Sequence, residues 1–160
     1  MATKTTKKKG ETATTVSVGI RIDPKVKFAL DIMGREQKRS LTAVIEWAIG
    51  NAISQQTFSG SLESFADLIE KTWSTDEPTR LVNMGFYMPA ILTYDELRTW
   101  ETIKMTEYFW SFKECPVTPE YLTLRAVRNS WNSLKSHVEK HKNSTSVVPF
   151  DPFDDDEAPF

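Results

Sequence analysis

The chain has 160 residues, 39% of them hydrophobic and 26% charged, which is typical of a soluble globular protein. Residues 1–53 contain ten basic and five acidic residues, residues 54–150 contain ten and twelve, and residues 151–160 contain five acidic residues and no basic one. No apolar run approaches the roughly 18 residues of a membrane span, and the start of the chain lacks the apolar centre of a signal peptide, so we expect a cytoplasmic protein without membrane contact.

The chain begins with a polar segment that leads into an alternating one. Residues 1–14 are rich in Thr, Lys and Gly and have no hydrophobic period, which predicts a disordered basic arm. From Thr15 to Ile22 apolar and polar residues alternate strictly, as in a strand with one buried face. Ser17, Gly19 and Arg21 lie on the polar face of this predicted strand.

Two helices are predicted after the strand. Asp23 and Pro24 favour a helix start, because aspartate caps the free N–H groups and proline suits the first helical position. A polar turn at 34–39 separates this helix from a second one, which Ser40 caps. Because one strand and two short helices cannot close a core, we expect a second copy of the chain to complete it as a twofold dimer.

This order of features resembles the ribbon-helix-helix family of bacterial repressors and of plasmid or antitoxin regulators. The resemblance covers residues 15–53, TVSVGIRIDPKVKFALDIMGREQKRSLTAVIEWAIGNAI. It implies an intertwined β-α-α dimer that places a two-stranded ribbon in the major groove of double-stranded DNA. Ser17, Gly19 and Arg21 then fall at the base-contacting positions, and Arg21 can pair with guanine through two hydrogen bonds. Gly19 departs from the usual long polar side chain, which leaves the degree of sequence specificity open.

Contacts to DNA phosphates are predicted at two places. The first is the start of the second helix, where unpaired N–H groups attract anions; the residues are Lys38, Arg39, Ser40 and Thr42. The second is the basic arm, in which Lys7, Lys8 and Lys9 would add salt-dependent affinity without reading sequence. The alternative in both places is a set of solvated basic residues without a ligand.

The middle of the chain predicts a small helical domain. Residues 54–61 are assigned to a linker and residues 62–142 to an aromatic-rich helical domain, with thirteen aromatic residues between Phe58 and Trp131. The sequence predicts a loop around 76–78, a capping box at Thr93–Glu96, and one regular helix from Thr118-Pro119 to Val138. The predicted fold class is mainly α, with an amino-terminal ribbon-helix-helix, this helical domain and a disordered acidic tail.

Residues 143–160 form that predicted tail, a Ser/Pro spacer followed by the acidic end PFDPFDDDEAPF. The end resembles the carboxy-terminal tip of bacterial single-stranded-DNA-binding proteins. In that family the last Phe enters an apolar pocket, its carboxylate meets a basic residue, and the aspartates meet a basic rim on replication and repair proteins. The resemblance assigns partner binding to Phe153, Asp154, Asp155, Asp156, Pro159 and Phe160. The alternative is a solubilising acidic tail.

No enzymatic motif is present in the sequence. His137 and His141 lack the further ligands of a metal site and are interpreted as solvated helix residues, and no glycine pattern indicates a nucleotide. We therefore predict no catalytic residue, no metal and no cofactor.

The leading hypothesis is a homodimeric, sequence-specific DNA-binding repressor at the bacterial nucleoid, possessing a tip that docks on replication or repair proteins. Two alternatives remain open. One is a plasmid or phage adaptor or decoy that mimics the tip to bind or inhibit host repair enzymes. The other is an antitoxin whose carboxy-terminal domain binds a toxin.

Overall fold

The computed structural model of the chain describes residues 18–58 and 63–153. Between them these ranges contain seven α-helices: α1 Pro24–Gln37, α2 Leu41–Gln55, α3 Phe65–Thr72, α4 Glu77–Tyr87, α5 Tyr94–Met105, α6 Leu124–Asn129 and α7 Trp131–Lys140. Short 3-10 helices lie at Pro89–Ile91, Glu107–Phe109 and Pro119–Tyr121. The chain divides into two compact units, unit 1 (Met1–Ala52) and unit 2 (Ile53–Phe160).

The prediction of an amino-terminal strand is wrong for residues 18–22, the part of it that the structure describes. Residues 18–22 have no regular secondary structure, and no strand occurs anywhere in 18–58 or 63–153, where only isolated bridges are found. A strand needs a neighbouring edge for its backbone hydrogen bonds, and no described segment of the same chain supplies one. The ribbon-helix-helix fold class is therefore corrected to an all-helical one for the described residues. Residues 15–17 of the predicted strand lie outside them.

The two helices of unit 1 begin where the sequence predicts. The Asp23 carboxylate accepts a hydrogen bond from the Lys25 amide at 2.8 Å, and Pro24 is the first helical residue of α1. Lys38 ends α1 in the left-handed conformation with φ 52°, and the next amide, that of Arg39, donates to the Gly34 carbonyl at 2.9 Å. Ser40 then caps α2 by accepting from the Ala43 amide at 3.2 Å. These local bonds fix a helix-turn-helix segment.

Unit 2 has a core of its own. Helices α4 to α7 surround a cluster of buried side chains: Leu81, Val82, Trp100, Ile103, Phe109, Ala126, Val127, Leu134, Val138 and Phe150. Gly85 of α4 lies directly against the ring of Trp100, and Phe86 packs edge-on against that same ring at 4.8 Å between centroids. The close approach of α4 to α5 therefore requires a residue without a side chain at position 85.

Two predictions for unit 2 need correction and one is confirmed. The segment predicted as a loop at 76–78 starts a helix, because the Asp76 carboxylate caps α4 by accepting from the Thr79 amide at 3.1 Å. The predicted helix from Thr118 is broken, since the Thr123 amide bonds the Phe109 carbonyl at 2.7 Å instead of continuing a helical ladder. The capping box of Thr93 and Glu96 is present in full.

The prediction of a disordered tail is wrong for residues 143–153. Phe150 is only 4% exposed, and its ring stacks on Phe109 at 5.8 Å with an interplanar angle of 4°. The Phe150 amide donates to the Thr106 hydroxyl at 2.9 Å, and His137 Nε2 lies 2.9 Å from the Val148 carbonyl. The prediction that His137 is a solvated helix residue is therefore wrong, because its side chain is buried. Residues 154–160 lie outside the described part of the tail.

Candidate functional site

Unit 1 exposes most of its large apolar side chains. In the range 18–52 only Gly34 and Val44 are buried. Eight large hydrophobic residues there remain more than a third exposed: Val18, Ile20, Ile22, Val26, Phe28, Ile32, Trp47 and Ile49. Single exposed apolar residues are normal on a protein surface, but eight of them within one small unit are candidates for contact with a partner. We call these eight residues the apolar surface of unit 1.

Two of the three predicted base-contacting residues can be located. Gly19 and Arg21 lie in the irregular, exposed segment 18–23 that precedes α1, and Ser17 lies outside the described residues. A Cβ atom built on Gly19 would meet nothing within 4 Å, so the packing of this chain does not require a glycine there. Both residues are thus available to an external ligand.

The predicted phosphate-contacting residues gather at the turn between α1 and α2. Lys38, Arg39, Ser40 and Thr42 are all exposed. A shallow depression of about 450 Å³ lies beside this turn and is lined by Leu30, Asp31, Gly34, Arg35, Lys38, Arg39 and Leu41. Arg35 is a third cation here that the sequence reasoning had missed, although its place in the last turn of α1 was a usable signal.

The Ser40 hydroxyl can both cap α2 and donate a hydrogen bond to a ligand. Its oxygen accepts the Ala43 amide, and the hydroxyl proton remains a potential donor to a phosphate oxygen. The surrounding helix start offers N–H groups that lack partners within the helix. Lys7, Lys8 and Lys9, the other predicted phosphate contacts, lie outside the described residues.

The last described residues of the tail point one aromatic side chain outward. Phe153 is 79% exposed, and its ring meets Tyr108 edge-on at 5.8 Å between centroids. The other predicted tip residues, Asp154, Asp155, Asp156, Pro159 and Phe160, lie outside the described residues. Sequence reasoning missed both Phe150 as the buried anchor and Tyr108 as the neighbour of Phe153, because each depends on contacts between distant parts of the chain.

Unit 2 also has a groove of about 360 Å³ between α4, α5 and α7. Several of its charged residues bond to one another or to the backbone. Lys135 pairs with Glu77 at 3.4 Å, Lys142 pairs with Glu139, and Arg98 donates to the His141 carbonyl at 2.9 Å. These bonds help to hold the helices of unit 2 together.

Another charged group of unit 2, the Asp76 carboxylate, stabilises the fold. The hydrogen bond from the Thr79 hydroxyl, aided by Arg128 of α6, holds the pKa of Asp76 below its ordinary value. Arg128 Nε lies 2.9 Å from the Asp76 carboxylate, so the cap of α4 is joined to α6. Such a carboxylate is ionised at neutral pH and stabilises the fold there, and the contribution is lost only as the pH falls through its lowered pKa.

Comparisons with protein-family models, with curated proteins and with solved structures find no match to this chain. Across residues 18–58 and 63–153, no group of three or more His, Cys, Asp or Glu side chains is arranged to hold a metal ion. The helices in those same ranges are all too short or too polar to cross a bilayer.

Proposed function

We propose that the chain is a self-associating duplex-DNA-binding protein that represses transcription in the bacterial cytoplasm, at the nucleoid. Unit 1 binds DNA, and the acidic tip docks on replication or repair proteins. The observation that carries the first part is the combination, within 18–52, of a largely exposed apolar surface with exposed cations at one helix turn.

Self-association is inferred from how little of unit 1 is buried. Within 18–52 only Gly34 and Val44 are buried, and a small domain with so limited a core usually needs a disulfide, a metal or oligomerisation to be stable. The chain has a single cysteine, Cys115, so no internal disulfide can form. With no metal-binding group among the described residues either, burial of the apolar surface against a second copy is the means of stabilisation we favour.

We expect Ile20→Asp to convert the self-associated protein into monomers. Ile20 is 61% exposed in the single chain, so a charge there is tolerated in a monomer but is costly when buried against a second copy. Sedimentation equilibrium measures the change. The matched control is Tyr94→Asp in unit 2, where the wild-type side chain is 63% exposed, and it should leave the oligomeric state unaltered. A monomeric wild-type protein would refute the proposal.

DNA binding is supported by the position of the cations. Lys38 and Arg39 are exposed beside the start of α2, and Arg21 is exposed just before α1. None of the three makes an ion pair with a residue in the described ranges, whereas Lys27 is engaged by Asp31 at 2.6 Å. Lys38 and Arg39 therefore keep their charges for DNA phosphates, with release of counterions, and Arg21 keeps its guanidinium for a base edge.

Substitutions at these positions should affect DNA binding in two different ways. Arg21→Ala should weaken binding to the preferred sequence by about 1–3 kcal/mol and reduce discrimination between sequences, because base edges carry the sequence information. Lys38→Ala should weaken binding to all sequences and lower the salt slope by about 1. Fluorescence anisotropy over a series of salt concentrations measures both quantities. Lys113→Ala, an exposed lysine of unit 2, is the control, and equal losses in all three variants would contradict this assignment.

The second part of the proposal concerns the tip. The tail is anchored through Phe150, and Phe153, the first of the proposed tip residues, is exposed. Residues 151–160 carry five acidic residues and no basic one. An aromatic anchor flanked by acids suits a partner with an apolar pocket and a basic rim. Docking through the tip would link a replication or repair protein to the chain that binds DNA.

A further inference from the structure

The groove between α4, α5 and α7 combines an apolar lining with a volume that suits a small molecule. Four of its lining residues are apolar or aromatic: Leu81, Met84, Trp131 and Val138. Leu81 and Val138 also belong to the buried core of unit 2, so packing fixes their positions. The volume of about 360 Å³ lies within the range of about 300–1,000 Å³ that is usual for ligand pockets. The groove can therefore take up the apolar part of a small ligand.

Most of the charged residues around this groove are held by bonds within unit 2. Six of the eight charged residues that line it are of this kind. Their bonds are the ion pairs Lys135–Glu77 and Lys142–Glu139, the capping box that contains Glu96, and the hydrogen bonds from Arg98 to the His141 and Ser144 carbonyls. These bonds form without a ligand, so they serve to hold the walls of the groove in place.

The other two charged residues, Arg80 and Asp95, have hydrogen-bonding capacity left over. Arg80 Nη1 donates to the Ser74 carbonyl at 2.7 Å, which leaves Nε and Nη2 as further donors. The Asp95 carboxylate accepts no hydrogen bond from a residue in the described ranges. The hydrogen bond to Glu139 raises the pKa of Lys142, and Asp95 adds to this rise without forming an ion pair with the lysine.

Arg80 and Asp95 lie on different walls of the groove. Arg80 belongs to α4 and Asp95 to α5, and both line the groove. Their charges are opposite, yet no ion pair joins them across it. A ligand that carries one positive and one negative group can engage both residues, whereas a ligand with a single charge engages only one of them.

We propose that this groove binds a small zwitterion with an apolar body, either a free apolar amino acid or a short apolar peptide. The ligand carboxylate accepts hydrogen bonds from Arg80, the ligand ammonium donates to Asp95, and the apolar part packs against Leu81 and Met84. The site lies entirely within unit 2 and does not depend on the DNA binding proposed for unit 1.

The first test measures binding of two probes to the purified full chain by calorimetry at low ionic strength. The probes are L-phenylalanine and L-leucyl-L-leucine, in which the two charges are further apart, so the tighter binder distinguishes an amino acid from a peptide. The N-acetyl derivative of that probe lacks the ammonium, and its carboxy-terminal amide lacks the carboxylate. Each derivative should bind about tenfold more weakly or worse, because hydrogen bonds between charged groups are among the strongest.

Three results of this test would overturn the inference. They are the absence of binding by both probes, equal affinity for the probe and its two derivatives, and a loss of affinity when only one of the two ends is blocked. The last result would indicate a ligand with a single charge.

Two variants assign the charges of the ligand to the two residues. Asp95→Asn should weaken binding of the zwitterion about tenfold and leave binding of the N-acetyl derivative unchanged. Arg80→Gln should weaken binding of the zwitterion to a similar degree and leave binding of the amide unchanged. Because both ligands are compared on the same variant, a change in stability alone cannot produce this pattern. Glu70→Gln, at an exposed carboxylate of α3 outside the groove, is the control. Equal losses for the zwitterion and its derivative in both variants would refute the assignment.

Discussion

Replacing Phe150 by alanine is expected to destabilise unit 2 by about 3–5 kcal/mol, the range for removal of a buried aromatic side chain. The ring is 4% exposed and stacks on Phe109, which is itself fully buried. Loss of the ring leaves a cavity next to Phe109, and residues 148–153 lose their main attachment to α5 and α7. Urea unfolding monitored by tryptophan fluorescence measures the free energy of unfolding.

Phe153→Ala provides the comparison within the same tail. Its ring is 79% exposed, so its removal should change the free energy of unfolding by no more than about 0.5 kcal/mol. The two substitutions are chemically identical and three positions apart. If Phe150→Ala were as mild as Phe153→Ala, residues 148–153 would not be part of the fold of unit 2.

The helix starts could be predicted because each depends on a few neighbouring residues. Asp23, Ser40 and Thr93 cap their helices with hydrogen bonds that reach two or three positions along the chain. The residues that form the pattern in the sequence are then the same residues that make the hydrogen bond of the cap. The cap at Asp76 belongs to the same class. The sequence nevertheless predicted a loop at 76–78, although proline, here Pro78, is tolerated in a first helical turn.

The strand and the tail could not be predicted because they depend on distant partners. Alternation between Val18 and Ile22 shows that one face can be buried, but whether a strand forms depends on a second edge. The tail has a polar, Pro-containing composition that indicates disorder, yet contacts of Phe150 with Phe109 and with the Thr106 hydroxyl hold it against unit 2. Buried His137 is explained in the same way, by the Val148 carbonyl eleven positions further along the chain.

The same difference between local and distant contacts decides which features of the candidate sites could be predicted. The exposure of Arg21, Lys38 and Arg39 was foreseeable, since charged residues are rarely buried. The exposure of Tyr108 and Phe112 was not foreseeable, because the orientation of these aromatic residues depends on where α5 ends. In the structure α5 ends at Met105, so Phe109 turns inward while Tyr108 and Phe112 remain exposed.

Gly85→Ala is expected to destabilise unit 2 even though alanine favours a helix over glycine by about 1 kcal/mol. A Cβ atom at position 85 would lie 2.4 Å from Cδ2 and 2.6 Å from Cε2 of Trp100. The indole is buried in the core and bounded by Phe86, so it cannot move away without opening the packing between α4 and α5. Overpacking of this kind costs about 1–3 kcal/mol, which outweighs the gain in helix propensity.

Gly50→Ala tests the same substitution where no clash exists. Gly50 lies in α2, and a Cβ atom there would meet nothing within 4 Å. At position 50 only the difference in helix propensity then changes the stability. The thermal midpoint measured by circular dichroism should therefore rise for Gly50→Ala and fall for Gly85→Ala. Opposite signs for one chemical change would establish that contact with Trp100, and not helix propensity, determines the residue at position 85. A rise in both variants would mean that α4 and α5 are further apart than the core of unit 2 requires.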